Sequence, residues 1–121
     1  MTRRPPRVWF SVVGTLYRRW AMYRQGDVLM IPVKKAPKGA KPVDRRNGRL
    51  VLAEGEATGH AHTVADGGAA LLEHEDGLFL EAPGDVVVEH QEHATVDLPA
   101  GTYKVIRQRE YTPQEIRNVR D

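Results

Sequence analysis

The sequence predicts an all-β fold, a single small antiparallel β-barrel or sandwich with a short C-terminal helix. Three observations lead there. Runs of branched and apolar residues recur along the chain, each of about four to eight residues and roughly seven to nine in number. Turn signals separate them at intervals of about 8–12 residues, the spacing of antiparallel sandwiches and barrels. The 121 residues include 11 Gly and 8 Pro, which supply those turns. The length suits one domain with a real core, and no internal repeat or second domain is visible.

Residues 1–21 read as a basic N-terminal extension that packs poorly on the domain. Arg3, Arg4 and Arg7 precede a mostly apolar run from Val8 to Tyr17, which imitates a secretory signal. Arg18-Arg19 interrupts that run, and no small-x-small cleavage site follows. The run is also too short to span a bilayer, so a cytoplasmic protein without a transmembrane segment is expected. Met22 is the expected biological start, because Tyr23 to Asp27 leads directly into a strand. Residues 22–121 then form the β domain.

Val28 to Val33 is the first strand, and Pro32 marks an edge or a strand end. Residues 34–48 hold two prolines, two glycines and many bases, and read as a long exposed loop. Arg49 to Ala53 is a strand, continued by a segment broken at Gly55 and Gly59, where bulges are expected. Ala69 to His74 and Leu78 to Glu81 form a hairpin across Asp76-Gly77, read as a type I′ turn. Pro83-Gly84 reads as a type II turn before the strand Asp85 to Glu89. Ala94 to Leu98 and Thr102 to Arg109 follow, joined as a hairpin by Pro99-Ala100-Gly101. Thr112-Pro113-Gln114-Glu115 is a capping box opening a helix from about Pro113 to Val119, with Ile116 and Val119 docking on the sheet.

Charge is segregated. Residues 1–24 carry six arginines and no acid, whereas Leu50 to Tyr103 contains eleven acids, all five histidines and no Lys or Arg. Such a window suits a bound cation, although an acidic solvated surface has the same composition. Within it lies Gly59-His60-Ala61-His62. On a strand, alternate side chains share a face, so two imidazoles about 7 Å apart at Cα can converge on one ion. His90-Gln91-Glu92-His93 can supply the remaining ligands. With no cysteine in the chain, the donors are imidazole, carboxylate and water, which suit a divalent Zn, Fe, Ni or Mn ion. His60, His62 and His93 are the first candidates, with His90 as alternative or fourth ligand. Glu92 is a candidate catalytic residue, either orienting a histidine or acting as general base for water activated by the metal. Glu54 and Glu56 lie just upstream and can support the ligands. His74 reads as a surface residue beside its hairpin. The site depends on the course of residues 89–93. A continuous strand buries His90 and Glu92 among valines, whereas a break places both histidines at a rim.

Gly55, His60, His62, the Pro83 to Val88 run and a downstream histidine resemble the two-motif layout of the cupin superfamily. That resemblance implies a small barrel holding one metal with a His-x-His pair, a carboxylate and a later histidine. The carboxylate has at best Asp66 for a match, and the glycine spacing differs by one residue. Gln25 to Val28, Gly59 to His62, Leu98 to Tyr103 and Gln108 to Tyr111 resemble strings shared by a group of short bacterial proteins. That second resemblance implies domain limits near 22–119 and no activity.

Other chemistries find little support. There is no phosphate-binding glycine loop, no dinucleotide fingerprint and no thiol, and the only serine is Ser11. Metal-dependent catalysis on a small molecule is therefore the first functional expectation. The alternative is a non-catalytic binding module. Lys34, Lys35, Arg45 and Arg46, with Arg107 and Arg109 on one face of the last strand, offer a basic surface for nucleic acid. Trp9, Phe10 and Trp20 offer an apolar one for a protein partner.

Overall fold

The computed structural model describes residues 22–55 and 59–120. The N-terminal extension, its aromatic residues and Glu56 lie outside those residues.

The described residues form ten strands: β1 (Tyr23–Gln25), β2 (Val28–Val33), β3 (Lys41–Pro42), β4 (Leu50–Glu54), β5 (Ala61–Val64), β6 (Ala70–His74), β7 (Gly77–Ala82), β8 (Val86–Glu89), β9 (Val96–Leu98) and β10 (Gly101–Arg107). A 3-10 turn (Gln108–Glu110) and helix α1 (Pro113–Arg120) close the chain. The strands make two sheets, β1-β2-β10-β7-β6-β3 and β4-β5-β8-β9. All pairings are antiparallel. The sheets stack as a sandwich and do not close on one another, so the barrel alternative, with the cupin-like closure, is not what forms.

Alternation sorts the side chains. Val28 and Met30 of β2, Leu50 and Leu52 of β4, Val64 of β5, Leu80 of β7, and Val86 and Val88 of β8 meet between the sheets, none more than 3 % exposed. Each such side chain contributes roughly 1.5–3 kcal/mol by leaving water. Val87 points outward and is exposed, as period two requires. β2 is buried on both faces, because Leu29 and Ile31 lie under Ile116 of α1 with Val119 beside it. The helix is only two turns long and holds because it docks there. Its capping box is complete: Glu115 N–H donates to Thr112 Oγ1 at 3.1 Å, and Thr112 N–H donates to Glu115 Oε1 at 2.7 Å.

Several local expectations are corrected. Within residues 34–48, Lys41–Pro42 pairs with Leu72–Glu73 as an edge strand, where a proline is tolerated. The β6–β7 turn is centred on Glu75-Asp76, with His74 opposite Gly77, and Asp76 does not take positive φ, so no type I′ turn forms. Gly84 also lacks the positive φ of a type II turn. Residues 99–101 carry the chain from one sheet to the other, because β9 pairs with β8 while β10 pairs with β2 and β7. Arg109 sits in the 3-10 turn and not on the strand that carries Arg107. The bulge lies at Leu52, not at the glycines: Val51 opposes Thr63, and Ala53 opposes His62. That extra residue places a small side chain across the sheet from His62.

Candidate metal centre

One end of the sandwich gathers four histidines from two places in the chain. His62 lies on β5, and His60 immediately precedes that strand. His90 and His93 come from the loop between β8 and β9. That loop settles the course of residues 89–93. β8 ends at Glu89, and the His90 Nδ1 accepts the backbone N–H groups of Glu92 at 3.0 Å and His93 at 3.3 Å. A side chain that captures nearby backbone donors competes with the strand ladder, so the strand breaks and both histidines reach the rim. The same turn carries His90 back over the pair on β5. Ring centroids are 5.6 Å apart for His60 and His90, 4.4 Å for His62 and His90, 4.6 Å for His90 and His93, and 6.1 Å for His62 and His93.

His62 is the anchored member. It is 4 % exposed, and the buried side chain beside it is Gln25, at 2 %. Gln25 Nε2 donates to the carbonyls of Val88 and Ala94, both at 2.9 Å. Its Oε1 is therefore the atom that faces His62 Nδ1, at 2.7 Å. A carbonyl oxygen only accepts, so His62 carries its proton on Nδ1 and keeps a lone pair on Nε2. Gln25 also ties β1 of one sheet to β8 and the β8–β9 loop of the other.

Burial, followed by the nearness of His90 and His93, pushes the His62 pKa down to about 4. The ring is neutral at physiological pH, the form that binds metal. The His90 pKa is lowered too, through lost hydration and then the neighbouring His93 and His60.

The β1–β2 turn completes the wall. Gly26 has φ +59°, and a Cβ there would stand 2.6 Å from His93 Nε2. The positive φ favours glycine, and any side chain there would have to push the His93 ring aside. Asp27 follows, taking the Arg109 backbone N–H on Oδ1 at 3.3 Å and the Arg109 Nε near Oδ2 at 3.0 Å. From the sequence, Gln25, Gly26 and Asp27 mark only a domain start. A polar residue facing inward on a strand, next to a glycine, was the signal that could have marked them.

The remaining candidates are placed as follows. Glu92 is mostly exposed, with Oε2 3.7 Å from His60 Nδ1, at the edge of the cluster. Glu54 pairs with Arg46 at 2.8 Å. His74 keeps to its own hairpin, 3.5 Å from Asp76. Among the described residues, no three His, Asp or Glu side chains already point their donor atoms at a common ion position. His90 meets His60 edge-on and lies tilted against His62 and His93, and His62 stacks on His93; these separations are near those a shared ion needs, but the orientations are not. Two imidazoles on one tetrahedral zinc have centroids roughly 5 Å apart.

The basic residues do not form one free surface. Arg45 donates to the carbonyls of Gly48, Asp66 and Ala69, which staples its loop, and Arg46 is paired with Glu54. Arg107 donates to the Glu54 carbonyl and Arg109 lies against Asp27. Lys34 and Lys35 are exposed. Among the described residues no helix is long and apolar enough to cross a membrane.

A family model described as "Domain of unknown function (DUF8820)" matches residues 24–108. No curated protein and no solved structure matches the chain.

Proposed function

The chain belongs to the family described as Domain of unknown function (DUF8820), and from that footing we propose that its four-histidine mouth holds a divalent transition metal and serves metal-dependent chemistry on a small molecule. The family match spans residues 24–108, which include Gln25, Gly26 and all four histidines and leave out α1. The observation that carries the reading is the Gln25–His62 pair. A buried glutamine, itself locked by two carbonyls, fixes one tautomer and leaves Nε2 free on a ring packed against His90 and His93. Metal-binding histidines are commonly oriented through their other ring nitrogen in this way.

His60, His62, His90 and His93 are the ligand candidates. Rings on the exposed β8–β9 loop turn by side-chain rotation, while His62 stays fixed. A metal held there supplies Lewis acidity. Glu92, beside His60 at the solvent edge, would orient that ring or take up a proton at the mouth. The alternative, a nucleic-acid module built on Lys34, Lys35, Arg45 and Arg46, has less behind it, because Arg45 and Arg46 are committed to the chain's own groups.

Elemental analysis of full-length protein purified without a histidine tag tests the proposal. Stoichiometric metal in the wild type, lost in His62→Ala and His60→Ala, is expected. Substoichiometric metal in the wild type, or no loss in the variants, contradicts it.

A further inference from the structure

Beside the histidines the smaller sheet carries an open cleft of about 440 Å³, within the usual range for small-molecule sites. It lies on the side of β5 and β8 turned away from the core. Thr63 and Glu89 line it as a cross-strand pair, while the adjacent Val64 and Val88 are fully buried on the other side. Arg49, Gln91 and Thr95 complete the polar part of the wall, and His90 closes it toward the cluster.

We propose that this cleft binds a small polar carboxylate, with Arg49 as the anchor and His90 as the contact with the metal centre. The proposal rests on the metal reading for its purpose and on the cleft's own residues for its chemistry. Among the described residues Arg49 is the one Lys or Arg of the lining. It donates to Glu89 Oε1 and Thr63 Oγ1, both through Nη1. Nη2 and Nε remain, and adjacent guanidinium N–H groups form the fork that pairs with a carboxylate. Gln91 uses its Oε1 on the Ala61 N–H at 2.9 Å, so its amide NH2 is the group left for a ligand. Together with the two threonine hydroxyls, these donors suit a ligand that bears oxygen or nitrogen substituents beside its carboxylate. Glu89 already lies against Arg49, which shows that the guanidinium accepts a carboxylate and also makes Glu89 a competitor. One cation beside an acid is too little positive charge for a phosphate dianion. His90 is shared: its ring is 4.4 Å from that of His62, so a ligand lodged against it reaches the cluster.

The test is a titration of full-length protein with lactate, acetate and inorganic phosphate, followed by amide NMR, in metal-free and zinc-loaded samples. Lactate is expected to shift the Thr63, Gln91 and Thr95 amides saturably in the millimolar range. Arg49→Gln is expected to weaken lactate by about tenfold or more, since charge-assisted forked bonds are the strong ones. Glu89→Gln is expected to tighten it by freeing the guanidinium. Both side chains are substantially exposed, at 44 % and 45 %, so neither change should unfold the domain, and both variants should keep their metal. A purely structural Arg49–Glu89 pair would not give opposite effects. No saturable lactate shift in zinc-loaded wild type, equal affinity in Arg49→Gln, or phosphate binding as well as lactate would each overturn the assignment. If zinc fails to bind while lactate still binds through Arg49, the metal reading falls and the cleft stands.

Discussion

Two hairpins of this domain carry the same short device and put it to different ends. In the β6–β7 turn, His74 Nδ1 accepts the backbone N–H of Asp76 at 3.1 Å. In the β8–β9 loop, His90 Nδ1 accepts the backbone N–H of Glu92 at 3.0 Å. Each is a histidine, one intervening residue and an acid. His74 sits beside its own acid and shapes a turn. His90 lies across from His60, His62 and His93, with Gln25 behind them. The local motif is thus a turn former in both places. What distinguishes the second is long-range closure, supplied by β1 and β5 arriving at the same rim.

The contrast can be broken most forcefully by truncating one histidine from each setting. His62→Ala should abolish metal binding, a larger loss than the roughly 10–100-fold expected for removing an orienting partner. His74→Ala should leave metal affinity unchanged. Equilibrium dialysis with zinc measures both. Next in size is Gln25→Leu, which frees the His62 tautomer and strands two carbonyls. It should cost about 10–100-fold in metal affinity and about 1–3 kcal/mol of stability in urea denaturation of the metal-free protein.

Gly26→Ala sharpens the same point through the backbone. Positive φ costs a non-glycine residue about 1–2 kcal/mol, and the added methyl displaces the His93 ring. A loss of about 2–3 kcal/mol together with weaker metal binding is expected.

The pH dependence follows from His62. Its folded pKa is lowered from 6.5 to about 4, so between these values the unfolded chain takes up a proton that the folded chain refuses. The contribution is complete above pH 6.5 and is lost as pH falls through the window, by at most about 1.4 kcal/mol per pH unit. Metal-free His62→Gln should lack that slope. The smallest expected effect is at the two acids. Glu92→Gln and Asp76→Asn should each change stability by less than about 0.5 kcal/mol, because both side chains are largely exposed.

What could be read from the sequence was whatever local rules decide. β2 has the bounds its branched run indicates, the capping box of α1 is intact, and Val86 and Val88 face inward while Val87 faces out. Both histidine pairs stood out because no Lys or Arg interrupts their window. What escaped depends on distant partners. β3 exists because β6 offers it an edge. The loop at 99–101 resembles a hairpin turn, yet its two strands pair with different sheets. Gln25 is 37 residues from His62; the glycine beside it hints that it is special, but the histidine and the two carbonyls it satisfies lie too far along the chain to be read locally. The sequence allows either a continuous strand or a bend after Glu89. The outcome turns on one imidazole capturing two backbone donors, a choice that alternation does not express.

The lone pair on His62 Nε2 is the feature a metal would need most, and nitrogen-15 NMR of the histidine rings during a zinc titration reads it directly. In metal-free protein His62 should show a protonated Nδ1 and an unprotonated Nε2. Zinc should shift that Nε2, along with ring nitrogens of His60, His90 or His93, and leave His74 unmoved, with saturation at stoichiometric metal. A His62 protonated on Nε2, or a titration in which none of the four clustered rings responds, would contradict the metal reading.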